Sequence, residues 1–517
     1  MPKCTIDGRE TEVATGTTVM NAALGLGIHI PHFCWHPDLP VDGNCRMCMV
    51  EIDGAPKLMI ACNTQVNEGM VIQTHSEKAA EAHRTTLEFL LVNHPIDCPV
   101  CDQAGECYLQ DQYMGHGLHD SRVQLEDKVA KRKVVDLGPI MLDAERCVLC
   151  SRCIRFEQHV TGTNSFGFVD RGNKTQIATF EDRPIEHGYS GNLADVCPVG
   201  ALLSRDFRFK TRVWFLESAE SVCPGCSTGC NVSVDHRDGE VQRLRPRRNA
   251  AVNQSWMCDE GRALYKALGT DRLVSASIRD DSGRRGLSTD AVLDAVAERL
   301  RGARVAMLAT PQATNEDLFA FRLLADRLGA LLDFRIGNPQ DKLREREDAV
   351  LLRADRNPNT QGCLDLGMGR SGVDAILDAC RRSEVDVLLL QGTEWLASVA
   401  NVEAPFVVVM ASHDDLVLES AHVVLPTSVW AEGDGTFTNY QRRVQRIRAA
   451  VPAPHGSLPR WELAGALLRR LGVSFEAATA REVFSLLARA VPDYGALSHR
   501  TLDPEGHPLP LEIGALG

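Results

Sequence analysis

Short alternations of apolar and polar residues open the chain. Thr5-Ile6, Glu12-Val13 and Met49-Val50-Glu51-Ile52 alternate, with Asp7-Gly8, Asp42-Gly43 and Asp53-Gly54 between or beside them. Alternate strand side chains face opposite sides and Asp-Gly suits tight turns, so this stretch predicts a small β-rich module. The period then lengthens. Glu81 to Asn93 predicts a helix with His83, Leu87, Leu90 and Leu91 along one face, ended by Pro95. Val232, Val234 and Val241 alternate across Asp238-Gly239 and predict a hairpin. Beyond Asp271 the pattern is α/β. Leu287 to Leu300 predicts an amphipathic helix with Ser288 or Thr289 as N-cap. Val305 to Ala309 predicts a buried strand and Glu316 to Leu328 a helix. Val385 to Leu390 and Phe406 to Met410 are apolar runs typical of parallel strands, followed by Gly392 and Ser412. The tail (Pro452, Pro459, then Pro504 to Gly517) predicts helices and a mobile terminus.

At 517 residues there is room for three or four domains. Apolar residues make up 44% and aromatic ones only 5%, which suits small modules organised by metal as much as by packing. The net charge of −13, without a long basic tract, argues against nucleic acid as a partner. No apolar run approaches the roughly 18 residues that a membrane span needs. Met1-Pro2-Lys3-Cys4-Thr5-Ile6 lacks the charged start and apolar core of an export signal. Eighteen cysteines therefore read as thiolate ligands in a reducing compartment rather than as disulfides.

Fifteen of them, with one histidine, fall into four groups between Cys34 and Cys258. Cys34, Cys45, Cys48 and Cys62 are spaced C-x10-C-x2-C-x13-C. The tight run Asp42-Gly43-Asn44-Cys45-Arg46-Met47-Cys48 can turn backbone N–H groups toward cluster sulfurs, although four cysteines in CxxC pairs also suit zinc. His94, Cys98, Cys101 and Cys107 form H-x3-C-x2-C-x5-C. A lone histidine is ordinarily a surface or cap residue. Here three cysteines follow at ligand spacing with no fourth nearby, and a neutral imidazole in place of a thiolate raises a cluster's potential. Cys147, Cys150 and Cys153 begin a bacterial ferredoxin pattern, and Cys197-Pro198 ends one. The remaining positions of a two-cluster ferredoxin fall on Glu157, His187, Ser190 and Leu193, and Leu193 cannot bind iron. One cluster has been lost. In such folds the fourth cysteine of each motif serves the other cluster, so Cys197 belongs with Cys147, Cys150 and Cys153, and His187 is at most a stray ligand. Cys223, Cys226, Cys230 and Cys258 (C-x2-C-x3-C-x27-C) complete the fourth group. The basic run Arg243, Arg245, Arg247, Arg248 beside it reads as a solvated face or a contact for an acidic partner, alternatively as a vestigial phosphate site.

The four groups in this order resemble the large iron–sulfur subunit (the G or 75 kDa type) of respiratory complex I, the NADH:quinone oxidoreductase. The resemblance covers residues 1–271. It is carried by His94-Pro95-Ile96-Asp97-Cys98-Pro99, by Cys147-Val148-Leu149-Cys150-Ser151-Arg152-Cys153, by Ser190-Gly191-Asn192 leading to Asp195-Val196-Cys197-Pro198-Val199-Gly200-Ala201-Leu202, and by Trp256-Met257-Cys258-Asp259-Glu260-Gly261-Arg262. It implies an α+β multidomain chain: a β-grasp [2Fe–2S] ferredoxin-like module over 1–77, a helical [4Fe–4S] module with one histidine and three cysteine ligands over 78–117, a bacterial-ferredoxin-like [4Fe–4S] domain with one cluster lost over 138–215, and a [4Fe–4S] module of molybdopterin-oxidoreductase type over 216–271. A shortened α/β region (272–450) and a C-terminal helical region with tail (451–517) follow. Ala421-His422-Val423-Val424-Leu425-Pro426-Thr427 and Glu432-Gly433-Asp434-Gly435-Thr436-Phe437-Thr438-Asn439 are similar to molybdopterin oxidoreductases.

The resemblance further implies one [2Fe–2S] and three [4Fe–4S] clusters, no molybdopterin and no substrate site on this chain. Active molybdopterin relatives tend to carry Lys two residues after the fourth cluster cysteine, where this chain has Glu260. Electrons would come from a flavin-carrying NADH-oxidising subunit and its small [2Fe–2S] partner. They would leave toward a two-[4Fe–4S] ferredoxin-like subunit and the quinone-site subunits, with the first two groups nearer the flavin and the Cys197 group nearer the exit. The implied location is peripheral, on the cytoplasmic side of a bacterial inner membrane, reached only through partners. The alternative is an iron–sulfur subunit of an NAD-linked formate dehydrogenase or hydrogenase complex. Cys363 and Cys380 are left over and read as structural. Cys197→Ala is expected to abolish one [4Fe–4S] signal in the EPR spectrum of the reduced chain, whereas His187→Ala leaves every cluster in place.

Overall fold

The structure, a computed structural model, describes residues 1–117, 123–334, 347–369, 371–393, 396 and 405–510. It divides into two compact units, Met1–Leu216 and Glu217–Gly517.

The first unit opens with strands β1 (Lys3–Ile6), β2 (Arg9–Glu12), β3 (Met49–Ile52), β4 (Met59–Ile60) and β5 (Met70–Gln73), in the sheet order β2-β1-β5-β3-β4, with helix α1 (Val19–Gly25). Asp7-Gly8 turns β1 into β2 with both residues at positive φ, as the Asp-Gly pair predicts. Ile6, Val50, Ile52 and Ile72 from the strands meet Val19 and Met20 of α1 in one core. Helix α2 runs over Glu77–Leu91, earlier at both ends than the expected 81–93. The start moves because Ser76 caps it, its hydroxyl accepting from the Ala79 N–H at 3.2 Å. The stop comes two residues early, with Val92 still at helical φ and ψ, ahead of Pro95, which disfavours helical geometry at His94. Helix α3 (Tyr108–His116) packs on α2. The rest of the unit holds β6 (Val135–Asp136), β7 (Ile140–Leu142), helix α4 (Arg152–Phe156), β8 (Phe166–Val169), β9 (Gln176–Thr179), helix α5 (Asn192–Val196) and β10 (Leu202–Ser204).

The second unit begins with β11 (Glu217–Val222), β12 (Asn231–Arg237) and β13 (Glu240–Pro246), an antiparallel sheet whose last two strands are the hairpin expected across Asp238-Gly239. Helix α6 (Asp259–Ala263) follows. The main sheet is built from β14 (Ala276–Asp280), β15 (Gly283–Leu287), β16 (Val305–Ala309), β17 (Leu331–Phe334), β18 (Val387–Gln391), β19 (Phe406–Ala411) and β20 (Val423–Pro426), in the order β15-β14-β20-β19-β18-β16-β17. β20 to β17 run parallel. Leu287 closes β15 instead of starting a helix, and helix α7 begins at Thr289 (Thr289–Leu300) with Ser288 as its cap. Helix α8 (Asn315–Leu328) carries a capping box between Thr314 and Asp317. The other two strand runs differ from expectation by one or two residues at their ends.

Alternation inside the apolar strands explains why they lack polar positions. Met307, Leu389, Val408 and Leu425 face one core, shared with α7, α8 and the helices Arg460–Arg470 and Ala480–Ala490. Leu308, Leu388, Val409 and Val424 face the other, shared with Ile376 and Leu377 of the helix Val373–Arg381. A sheet covered on both faces needs apolar residues at every position. Cys363 and Cys380, the leftover thiols, sit fully buried, one in each core. The expected tail helices are Arg460–Arg470 and Ala480–Ala490, and residues 511–517 of the expected terminus lie outside the described residues. Phe321 is fully buried on α8. Phe321→Ala is expected to lower stability by about 3–5 kcal/mol, read as a lower urea midpoint of the full chain. Arg301→Ala at the exposed end of α7 should move it by less than about 0.5 kcal/mol.

Candidate metal centres

Three donor sets lie in the first unit. In the first, Cys34, Cys48 and Cys62 are buried and Cys45 half-buried. The Asp42–Cys48 run is a tight loop, with Gly43 and Arg46 both at positive φ. Its N–H groups do turn toward sulfur. The Cys34 thiol is pulled down to about 6, foremost by its hydrogen bond with the Cys45 thiol. Burial opposes this, and the backbone N–H groups of Cys45, Asn44 and Gly43 assist. The Cys34 N–H in turn donates to Cys45 Sγ at 3.4 Å. Cys62 is lowered chiefly by the thiol of Cys48, which is itself raised chiefly by Cys62. Both feel the charge of Cys34, so all four sulfurs share one neighbourhood.

The second set surrounds a cavity of about 210 Å³ lined by His94, Cys98, Cys101, Cys107 and Gly200 among others. His94 Nδ1 is buried without a hydrogen-bond partner. Burial, helped by nearby Lys128 and Arg146 against Asp97, lowers the imidazole to about 4, so it is neutral at pH 7 and free to act as a ligand. Gly200 has no room for a side chain, because a Cβ there would lie 2.3 Å from Cys101 Sγ.

The third set joins a loop to a distant residue. Cys147, Cys150 and Cys153 come from a loop that enters α4 with Leu149 and Ser151 at positive φ, and Cys197 follows α5. Burial pushes Cys147 up to about 12 and Cys150 to about 11. The charges of Cys147, Cys150 and Cys197 are all felt at Cys153. At the ferredoxin positions that lack cysteine, His187 Nε2 lies 3.3 Å from Glu157 Oε1, the Phe166 N–H donates to Glu157 Oε2 at 2.9 Å, and Ser190 and Leu193 are fully buried. The His187 Nε2 is thus engaged by Glu157 rather than by the cysteines.

These three sets share a core that includes Phe33, Cys34, Leu87, Cys107, Val148, Cys150 and Val199. The third set touches both others. Asn44 donates to the Leu149 carbonyl at 3.2 Å, the Tyr108 N–H donates to the Pro198 carbonyl at 3.0 Å, and Gly200 abuts Cys101. The fold sets the Cys197 group in contact with both others.

The fourth set lies in the second unit. Cys223, Cys226, Cys230 and Cys258 line a cavity of about 40 Å³ with Gly225, Gly229 and Gly261. The Gly261 N–H donates to Cys258 Sγ at 3.3 Å, and a Cβ on Gly261 would meet Cys223 Sγ at 2.9 Å. Glu260 pairs with Arg356 at 2.9 Å. The neighbouring basic run meets an acid of its own chain. Arg243 and Arg245 reach buried Asp235 across the hairpin at 2.7 and 2.9 Å. Burial would raise that carboxyl, and the two guanidiniums overcome it and hold it below the ordinary range. Neither an outside acidic partner nor a phosphate is needed to explain Arg243 and Arg245.

The donor chemistry fits iron–sulfur clusters. Cysteines line cavities in the second and fourth sets, joined by one imidazole in the second; backbone N–H groups reach the sulfurs of Cys45, Cys147 and Cys258, and glycines sit where a Cβ would strike those of Cys101 and Cys223. Among the described residues no three His, Cys, Asp or Glu side chains converge tightly enough to hold a metal ion by themselves. No helix among the described residues is long and apolar enough to cross a membrane.

Five family models match the chain in order: a 2Fe-2S iron-sulfur cluster binding domain (3–77), an NADH-ubiquinone oxidoreductase-G iron-sulfur binding region (83–122), the ferredoxin-like domain of NADH-quinone oxidoreductase subunit 3 (138–203), a molybdopterin oxidoreductase Fe4S4 domain (216–268) and a molybdopterin oxidoreductase domain (362–470). The chain is similar to the NADH-quinone oxidoreductase G subunit of Rickettsia bellii, 38% identical over 64% of this chain and 49% of that one. It is similar also to the G subunit of Streptomyces coelicolor, 42% identical over 62% of this chain and 39% of that one. The chain thus spans about half or less of the length of these curated relatives. Among solved structures, an NAD+-reducing [NiFe]-hydrogenase in the H2-reduced state matches at 29% identity and a TM-score of 0.37, covering 41% of this chain and 91% of that one. Gly200→Ala is expected to remove the cluster signal of the His94 set, by crowding Cys101, while the other signals persist in the EPR spectrum of the full chain.

Proposed function

We propose that the chain is an electron-transfer subunit of the peripheral arm of an NADH:quinone oxidoreductase, without a substrate site of its own. One observation carries this: three complete donor sets packed around a single apolar core in one unit, with members of each in that core. A structural metal site stabilises its own module and has no reason to share a core with two others. The order of the five matched domains and the similarity to the G subunits agree with it.

In this reading Cys34, Cys45, Cys48 and Cys62 hold a [2Fe–2S] cluster in a β-grasp module over 1–77. His94, Cys98, Cys101 and Cys107 hold a [4Fe–4S] cluster in 78–117. Cys147, Cys150, Cys153 and Cys197 hold another in the ferredoxin-like 138–215, and Cys223, Cys226, Cys230 and Cys258 a third in 216–271. The α/β region 272–450 and the helical 451–517 hold no molybdopterin. When bound, the clusters supply one-electron storage and transfer. The chain's residues hold them in order, exclude water and set local charge. The contacts of the Cys197 set with both others favour a middle place for it between the Cys34 and His94 sets.

Electrons enter from a flavin-carrying NADH-oxidising subunit with its small [2Fe–2S] partner and leave to a two-[4Fe–4S] ferredoxin-like subunit and the quinone-site subunits. The chain then lies on the cytoplasmic side of a bacterial inner membrane, held there only by partners. Metal analysis of the purified full chain should find about fourteen irons and matching sulfide, with overlapping EPR signals on reduction. Stoichiometric zinc without those signals, or bound molybdenum or tungsten, would overturn the proposal.

A further inference from the structure

Two arginines stand where the three sets meet. Arg152 is 3% exposed and Arg155 7%. Arg152 donates from Nη2 to the Trp35 carbonyl at 2.6 Å and from Nη1 to the Val196 carbonyl at 3.2 Å, and its guanidinium lies 5.2 Å from the Tyr108 ring centre. Trp35 follows Cys34, Val196 precedes Cys197 and Tyr108 follows Cys107, so one side chain touches a neighbour of a donor in each set. Arg155 donates from Nη2 to the carbonyls of Cys34 and of Cys150, the latter at 3.3 Å, from Nη1 to the Pro40 carbonyl, and from Nε to Ser151 Oγ at 3.0 Å. It therefore joins donors of two sets directly.

Every one of these acceptors is neutral. Among the described residues neither guanidinium has a carboxylate partner. The nearest acid in the network, Asp42, reaches Arg155 only through Ser151. Arg146, close by, behaves differently: Asp97 grips it at 2.6 and 3.0 Å. The Nε–H of Arg152 is buried with no acceptor at all. A buried cation without an anion is strongly destabilised. Carbonyl dipoles offset part of that cost. Besides Asp42, the donor cysteines bring negative charge to these residues once they are thiolates, and a cluster ligated by four thiolates is an anion whose charge grows on reduction.

We propose that Arg152 and Arg155 are positioning residues that act as fixed counter-cations to the Cys34 and Cys147 sets, raising the potentials of both and so making reduction there easier than in the same ligand shell without them. The inference rests on the cluster reading above. Its physical basis is that a fixed positive charge in a dry interior stabilises the more negative, reduced state of a nearby group. Two guanidiniums tied to backbone carbonyls cannot swing away as the charge changes.

The test is an EPR-monitored redox titration of the full chain with its clusters, accompanied by iron and sulfide analysis. Arg155→Gln and Arg152→Gln are expected to keep full iron and to shift the midpoints of the Cys34 and Cys147 sets downward. The midpoint of the Cys223 set, built in the other unit, stays put. Arg155→Lys and Arg152→Lys, which retain the charge and lose the fork, restore most of the shift. Full iron with unchanged midpoints in both Gln variants would overturn the proposal, as would an equal shift at the Cys223 set. Should the Gln variants lose iron, the Lys variants decide: midpoints near those of the unaltered chain support a charge effect, and a fall there assigns the effect to backbone geometry and overturns it. An unaltered chain without iron–sulfur signals would sink the cluster reading itself, a result distinct from all of these.

Discussion

Cysteine donors must enter the interior as anions, and water is not there to solvate them. That cost shapes the whole first unit. Burial foremost, with the charges of neighbouring cysteines, pushes Cys147 to about 12 and Cys150 to about 11, so in the bare chain these sulfurs keep their protons. A cationic metal core that displaced those protons would make buried anions tolerable in such surroundings. The backbone is bent to help. Arg46, Leu149 and Ser151 take left-handed conformations that ordinary side chains avoid, and the loops they shape carry N–H groups that face sulfur.

The same constraint explains what surrounds the donors. His94 is kept neutral by burial, so it can stand among thiolates without adding a charge. Glycine is required at position 200 because two modules close on each other over Cys101. At the ferredoxin positions that lack cysteine, Glu157 is engaged by His187 and by the Phe166 N–H, and Ser190 and Leu193 are fully buried. A site that loses its metal must be repacked, since an empty polar cavity in the interior costs stability.

The second unit obeys more ordinary rules. Its parallel strands are apolar throughout because helices cover both faces. Polar groups are admitted where they are paired. Glu316, fully buried, accepts from the Thr436 N–H at 2.8 Å and lies 2.9 Å from His499 Nε2. Burial raises the Glu316 carboxyl, with His499 opposing. Asn315 binds Thr436 and Thr438 at 3.0 Å each, tying α8 to the strand Gly435–Thr438. Arg272, in the segment that follows the fourth donor set, is locked to Glu432. Such fully engaged networks favour one arrangement of the interior over its competitors.

Much of this was legible along the chain. Donor spacing is local chemistry: CxxC loops bring two ligands together whatever the rest of the fold does, and the break in the ferredoxin pattern at Leu193 is visible in the sequence alone. Strand and helix positions in the α/β region followed from apolar runs, with errors at the ends, where caps such as Ser76 and Ser288 decide the boundary by a single hydrogen bond. What the tertiary structure alone decided is non-local. Arg152 and Arg155 sit inside the Cys150–Phe156 run in plain view, yet their partners are 44 to 121 residues away as well as next door, so nothing nearby marked them. Two of the arginines in the basic run beside the fourth set, Arg243 and Arg245, pair with Asp235 across the hairpin, a partner that the run itself does not reveal. And the placing of the Cys197 set against both others depends on which faces of three small modules pack together, a matter of long-range burial that ligand spacing does not encode.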